Sequence, residues 1–231
     1  MGDSMHTESG HRFYPIIGAV MLLLVIIGFG SAALERGTNP LELPLIVHFH
    51  GVVFLSWFAL FIVQASLIGR DRRALHMRLG KFSPILLFLM LLTAIPMVGD
   101  TLKRGVSPIP NISIEQFAAS PISDLTGLVL FYSLALVRRS DATFHKRAML
   151  LALVAILDPA TARIGIAFGV PPLPLLASLG LIGALIWHDR RVFGRAQAIT
   201  WFGLCWILLR PAFVFGFAAT DLWTGMVAGL V

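Results

Sequence analysis

Thiols and charges are both scarce in this 231-residue sequence, which contains a single cysteine, Cys205, inside an apolar run. One thiol excludes a disulfide within the chain and a metal site built from several thiolates. Charged residues make up only 13% of the chain, whereas soluble domains carry about 25%. Because no hydrophilic stretch is long enough for a separate folded domain, we expect one integral membrane domain over residues 1–231, with a short polar tail at 1–13.

Common catalytic motifs are also missing. The sequence has no glycine-rich phosphate loop, no serine-centred nucleophile elbow and no His-Glu-x-x-His zinc motif. The lysines Lys81, Lys103 and Lys146 all lie in loops or at helix ends, so none is placed to hold a retinal inside a span. Whether the protein is an enzyme therefore stays open at this level.

Apolar residues are abundant, at 57% of the chain, and the mean hydropathy is +0.85. A helix needs about 20 mostly apolar residues to cross the hydrocarbon core of a bilayer. The sequence predicts an all-α polytopic bundle of about seven transmembrane helices, of which the sixth is short. The predicted spans are 14–34, 45–68, 82–98, 122–137, 148–168, 173–187 and 198–217.

The distribution of basic residues predicts the orientation of this bundle. If the N-terminus is inside, thirteen of the 18 lysines and arginines fall in inner segments and three in outer ones. This bias follows the positive-inside rule and favours an odd number of spans, with the C-terminus outside. It predicts a multi-pass protein of the cytoplasmic membrane and argues against nucleic acid as a partner, despite the formal net charge of +6. A homo-oligomer or a partner in a membrane complex stays open.

Two of the basic inner loops resemble each other. The segments 70–78 and 138–147 both place an aspartate, Asp71 or Asp141, four or five residues before a His-x-Arg that opens the next helix. Repeated hairpins of this kind often reflect a duplicated unit. The alternative is that positive-inside loops simply look alike.

Ionisable residues at membrane depth are costly and are functional candidates. Asp158 and Arg163 lie inside the fifth predicted span, where Pro159 is expected to kink the helix, and Arg210 lies inside the seventh. Because a spacing of five residues suits pairing within a helix poorly, Arg210 is the better partner for Asp158. The set predicts either an ion pair between helices or a site for a proton or an anionic group.

Histidines are the other candidate ligands. His76 and His145 open the third and fifth spans on the inner side, and paired imidazoles on neighbouring helices can hold a b-type haem. His48 and His50 lie near the outer end of the second span, where no other helix end supplies a partner, so a second haem is not expected. The alternative for each histidine is an interfacial side chain that bonds a carbonyl or a lipid phosphate.

The second span has a candidate interior face. His50, Trp57 and Gln64 are seven residues apart and therefore lie on one side of a helix. Gln64 adds a polar group to the candidate set.

The sequence resembles a family of uncharacterised bacterial multi-spanning membrane proteins, grouped as a domain of unknown function. The residues that carry the resemblance, roughly over spans two to five, are His48, Gly51, Gln64, His76-Met77-Arg78-Leu79-Gly80, His145-Lys146-Arg147-Ala148-Met149 and Arg163. Met77 and Ala148 depart from that family, which favours arginine and a large aromatic residue at these positions. The resemblance implies a helix bundle similar to di-haem cytochromes b, and it implies no particular activity.

Two functional hypotheses follow. The first is a haem-binding, redox-associated membrane protein in which His76 and His145 are ligands, and in which the Asp158, Arg163 and Arg210 set binds a haem propionate or a quinone-like ligand. The second is a cofactor-free transport or accessory subunit, in which the same charges handle a proton or an anion or fix helix packing.

Overall fold

The computed structural model describes residues 2–35, 37, 39–107, 109 and 111–229, which form helices joined by short connections. The α-helices are α1 Gly2–Glu35, α2 Leu45–Gly69, α3 Arg73–Gly80, α4 Ser83–Lys103, α5 Ile114–Val137, α6 Ala142–Ala155, α7 Asp158–Ala167, α8 Leu173–Phe193, α9 Ala198–Pro211 and α10 Asp221–Ala228. A π-helical turn, Ala212–Gly216, and a 3-10 turn, Phe217–Ala219, continue α9.

Several of these helices have the length and composition of membrane spans. Within the described ranges there are five such stretches, Arg12–Leu34, Leu45–Gly69, Arg73–Lys103, Ile114–Val137 and Ala198–Ala219. The pair α6 and α7, bent by 44° at a short break, makes a sixth if it is one span. By helix composition the chain is therefore a multi-pass membrane protein.

The sixth predicted span, 173–187, corresponds to α8, which does not belong to this set. Its 21 residues would reach about 31 Å, enough to cross a bilayer. Its basic and acidic last turn, including Asp189 and Arg190, lowers its average hydropathy. The count of seven therefore stays a prediction.

Two helices begin earlier than the sequence predicted. The segment 1–13, expected as a polar tail, is helical from Gly2 onward and continues into the first span. The fourth span was expected from 122, but α5 begins at Ile114, where the Ser113 side chain accepts a hydrogen bond from the Gln116 N–H at 3.1 Å. Hydropathy detects the apolar centre of a helix, and polar turns beyond the hydrocarbon core escape it.

The two similar basic loops differ in local structure. Asp141 caps α6, since its side chain accepts from the Phe144 N–H at 3.0 Å. Asp71 instead adopts a left-handed conformation with φ 56°, and α3 begins after it as a short separate helix. His76 consequently lies on α3 and not at the first turn of the long helix α4. The two loops therefore share a sequence pattern but not a local structure.

α6 is the central helix of the bundle. All residues from 150 to 157 are buried, and they pack in a core with Trp57, Phe58 and Phe131 of the surrounding helices. A helix that is apolar on every side is expected in the interior. The predicted kink at Pro159 is in fact a break, because α6 ends at Ala155 and α7 restarts at Asp158.

The loops 70–72, 138–141 and 194–197 lie together at one end of the bundle, here called the basic end. The contacts of His76 with His145 and of Arg147 with Asp189 join the helices that border them. At the opposite end α10 folds back onto the start of α5, where Trp223 Nε1 donates to the Glu115 carbonyl at 2.8 Å.

Candidate functional site

Two imidazoles face each other near the basic end. The ring centres of His76 on α3 and His145 on α6 are 6.4 Å apart, and the ring planes are nearly perpendicular at 87°. His76 Nδ1 lies 3.3 Å from the Gln64 carbonyl, and His145 Nδ1 lies 2.9 Å from the Ala135 carbonyl. Because a carbonyl only accepts, each Nδ1 donates its hydrogen in this contact, which leaves Nε2 as the nitrogen that could bind a metal.

Two imidazoles are too few ligands for a structural zinc ion, whereas two is the number that a haem iron would take from the protein. With metal–nitrogen bonds of about 2 Å, two imidazoles that bind one metal can have ring centres about 6 Å apart, close to the separation of His76 and His145. A structural zinc ion takes four protein ligands. The part of the chain that the structure describes holds no group of three or more histidine, cysteine, aspartate or glutamate side chains suited to a metal. A haem iron needs only two protein ligands, and ligating histidines commonly donate their other N–H to a carbonyl.

Polar side chains continue from the imidazole pair into the bundle. Tyr132 of α5 contacts Ser83 of α4, oxygen to oxygen, at 2.8 Å, and Ser83 Oγ donates to the Gly80 carbonyl at 2.7 Å. The Trp57 ring packs edge-on against Tyr132, with ring centres 5.4 Å apart. Gln64 Oε1 and Trp57 Nε1 are buried, and neither has a hydrogen-bond partner among the described residues. One acceptor and one donor therefore remain unsatisfied on the inner face of α2.

A second polar site joins three helices through Arg210. Its guanidinium pairs with Asp124 of α5 and, at 2.9 Å between Nη1 and Oδ2, with Asp158 of α7. Ser178 of α8 donates to the other oxygen of Asp158 at 3.2 Å. Arg210 is 7% exposed and its Nε lies 3.4 Å from Ser123 Oγ. The contact expected between Asp158 and Arg210 is present, and Asp124 is a partner that sequence reasoning missed.

The helix termini explain how this second site forms. The break between α6 and α7 makes Asp158 the first residue of a new helix. Pro159 fits the first turn of that helix, because its missing N–H would have no partner there. Asp124 lies near the middle of α5. The predicted fourth span begins only at 122, which would put Asp124 at its end, near the membrane boundary. The capping pattern Ser113-x-x-Gln116 was the signal that could have corrected the helix start.

Arg163 makes contacts within α7 and with α1. Its Nη1 donates to the Pro159 carbonyl at 2.6 Å, and its guanidinium lies over the Phe29 ring of α1, 4.2 Å from the ring centre. The ring contact connects α7 with α1 through a cation–π interaction.

His48 and His50 do not join the imidazole pair. His48 is exposed, and His50 Nδ1 lies 3.3 Å from Thr93 Oγ1 of α4. His50 is fourteen residues before Gln64, which places it about 21 Å away along α2. His48 and His50 therefore lie near the start of α2, whereas His76 contacts α2 near its other end.

Arg147 and Asp189 form a further buried ion pair that sequence reasoning counted as loop charges. Both side chains are 0% exposed, and Arg147 Nε donates to Asp189 Oδ1 at 2.8 Å. Arg147 also donates to the Thr143 carbonyl. Asp189 Oδ2 accepts from the Gln197 N–H at 3.1 Å and from Thr200 Oγ1 at 2.8 Å. The pair is fully hydrogen-bonded and ties α6, α8 and α9 together at the basic end.

Comparisons with protein-family models, with curated proteins and with solved structures give no match for this chain. The resemblance to a family of uncharacterised membrane proteins therefore stays a prediction. The geometry of the two polar sites carries the functional argument alone.

Proposed function

We propose that this protein is an integral membrane haem protein with a redox role, and that His76 and His145 would hold a b-type haem. The observation that carries the proposal is the separation of 6.4 Å between the two ring centres, combined with the carbonyl contacts of both Nδ1 atoms. When bound, a haem supplies one-electron transfer.

The protein's own contribution is to hold the two rings. Each Nδ1–H contact to a helix carbonyl selects one tautomer and one ring orientation, and it raises the basicity of the ligating Nε2. The two rings are on different helices, His76 on α3 and His145 on α6. The site therefore depends on the packing of α3 against α2 and of α6 against α5. The contacts with Gln64 of α2 and Ala135 of α5 provide this dependence.

A quinone-like partner for electrons belongs to the same proposal. Trp57 Nε1 is a buried donor with no partner in the described part of the chain, and a quinone carbonyl is an acceptor of suitable chemistry. The Arg210 site suits an anionic ligand less well, since Arg210 already pairs with Asp124 and Asp158. We therefore place the quinone-like ligand near Trp57 and Gln64, and not at Arg210.

Seven crossings with the basic end in the cytoplasm complete the proposal. In this arrangement α6 and α7 form one broken span, and α8 is a span whose polar last turn lies at the inner interface. The clustering of arginine-rich loops at the basic end supports this orientation by the positive-inside rule. The corresponding location is the cytoplasmic membrane.

The proposal is tested by the absorption spectrum of the full chain, purified in detergent after expression with ample haem. The dithionite-reduced minus oxidised spectrum should show b-type bands, and His145→Ala should abolish them. His50→Ala is the matched control and should keep them, because His50 lies at the other end of α2. A folded, colourless wild-type protein would refute the proposal.

The competing function is that of a cofactor-free transport or accessory subunit. The observation that favours it is the pairing of Arg210 with carboxylates of two other helices, which can serve packing or proton handling without a haem. In that case the protein has no haem absorption bands for any variant to change, and Asp158→Asn alters transport or assembly.

A further inference from the structure

The Arg210 site holds more negative than positive charge among the groups in direct contact. Asp124 and Asp158 both contact the single guanidinium of Arg210, so the three groups carry one net negative charge when all are ionised. Asp124 lies near the middle of α5, and its side chain is 5% exposed. A net charge in so dry a setting is strongly unfavourable in a membrane protein.

The two carboxylates are not equally stabilised. Both oxygens of Asp158 accept hydrogen bonds, one from Arg210 and one from Ser178, and the carboxylate stands at the positive N-terminus of α7. Asp124 Oδ1 contacts Arg210, but Asp124 Oδ2 is buried with no partner in the described chain. A bare carboxylate oxygen in the interior is costly, whereas a protonated one loses most of that cost.

We propose that Asp124 and Asp158 share one proton around Arg210 at neutral pH, that the proton resides mainly on Asp124, and that this set is a proton-binding site inside the membrane. With a single guanidinium between the two carboxylates, the negative charge of Asp158 favours a proton on Asp124. A metal cation would need several oxygen ligands, and the unpaired Asp124 Oδ2 supplies one. The proposal is independent of the haem site, which lies at the basic end.

A second unpaired polar group lies in the same helix interface as Asp124. Gly127, one turn along α5, leaves room for the Trp206 side chain, since a Cβ at Gly127 would lie 2.8 Å from Trp206 Nε1. That N–H is also buried and has no partner among the described residues. Trp206 lies one turn before Arg210 on α9. An unpaired acceptor and an unpaired donor thus occupy the same interface between α5 and α9.

Further charged groups lie on α7 and at the exposed end of α4. Arg163 of α7 contacts the Pro159 carbonyl and the Phe29 ring. Asp100 and Arg104 of α4 pair with each other. The unpaired oxygen of Asp124 favours the proton whatever contacts these other side chains make.

The proposal is tested by infrared spectroscopy of the full chain in nanodiscs, as the difference between spectra at pH 7 and at high pH. A protonated carboxyl in an apolar setting has a C=O stretch distinct from that of a carboxylate. The wild type at pH 7 should show one such band, which shifts in heavy water and is lost at high pH. Asp124→Asn should remove the band. Asp158→Asn should remove it as well, because Arg210 then faces a single carboxylate. Asp100→Asn, at an exposed ion pair, should leave it unchanged.

Each other result counts against the proposal. A wild type without the band, or a band that survives Asp124→Asn, places no proton on this residue. A band that is lost in Asp124→Asn but kept in Asp158→Asn means that burial alone protonates Asp124, so no proton is shared. Loss of the wild-type band when sodium replaces potassium means that a metal cation competes for the site. Size-exclusion profiles matching the wild type show that each variant is folded.

Discussion

At the scale of single residues, the buried charges differ in how readily the sequence predicts them. Asp158 and Arg210 stand inside apolar runs and were predicted as partners because they interrupt those runs. Arg147 and Asp189 stand beside basic clusters, so they were counted with the loop charges, although both are fully buried. The sequence shows that Arg147 and Asp189 lie near loops. Only the packing of α6, α8 and α9 shows that their side chains are buried.

The Arg147–Asp189 pair predicts a large effect of a small change. Asp189→Asn leaves the Arg147 guanidinium buried without its counter-charge, and breaking a buried pair in this way costs about 3–5 kcal/mol. We expect a markedly lower thermal midpoint of the detergent-solubilised protein. Asp100→Asn is the control, because its pair with Arg104 is 65% and 66% exposed and should contribute about 0–1 kcal/mol. Similar midpoints for the two variants would contradict the enclosed position of the pair.

At the scale of helices, the apolar segments predicted from the sequence all correspond to helices of the fold, while their ends were less predictable. α5 begins at Ile114 and α1 at Gly2, both earlier than expected, because polar turns extend beyond the apolar window. The separate helix α3 was not predicted, and it carries His76. The imidazole pair was nevertheless anticipated, since the two loops that precede His76 and His145 lie at the same end of the bundle.

Close packing of α1 against α7 makes a specific prediction about two glycines on α1. A Cβ at Gly28 would lie 2.3 Å from the Ala160 carbonyl oxygen, a backbone atom that cannot move alone, whereas a Cβ at Gly30 meets no described atom within 4 Å. Gly28→Ala should therefore separate the helices and destabilise the fold by about 1–3 kcal/mol. Gly30→Ala should be neutral or slightly stabilising, because alanine favours a helix. The two variants are compared by thermal unfolding, and equal midpoints would contradict the close approach of α1 to α7.

At the scale of the whole molecule, the proposed orientation predicts which loops react from outside the cell. On a Cys205→Ala background, Val106→Cys and Val170→Cys should react with a membrane-impermeant maleimide in intact cells. Arg139→Cys and Arg195→Cys should react only after permeabilisation. Arg195 on the inside together with Val170 on the outside requires α8 to cross the membrane. Labelling of Arg195→Cys in intact cells would mean that α8 does not span, and full reversal of the pattern would place the basic end outside.

The central claim concerns the basic end, where His76 and His145 are proposed to hold one haem, and electron paramagnetic resonance of the oxidised protein tests it most directly. A ferric haem held by the two imidazoles would give a low-spin signal. We predict this signal in the wild type and in His50→Ala, and its loss in both His76→Ala and His145→Ala. A folded wild-type protein without a haem signal, or with one that neither His76→Ala nor His145→Ala changes, would contradict the account.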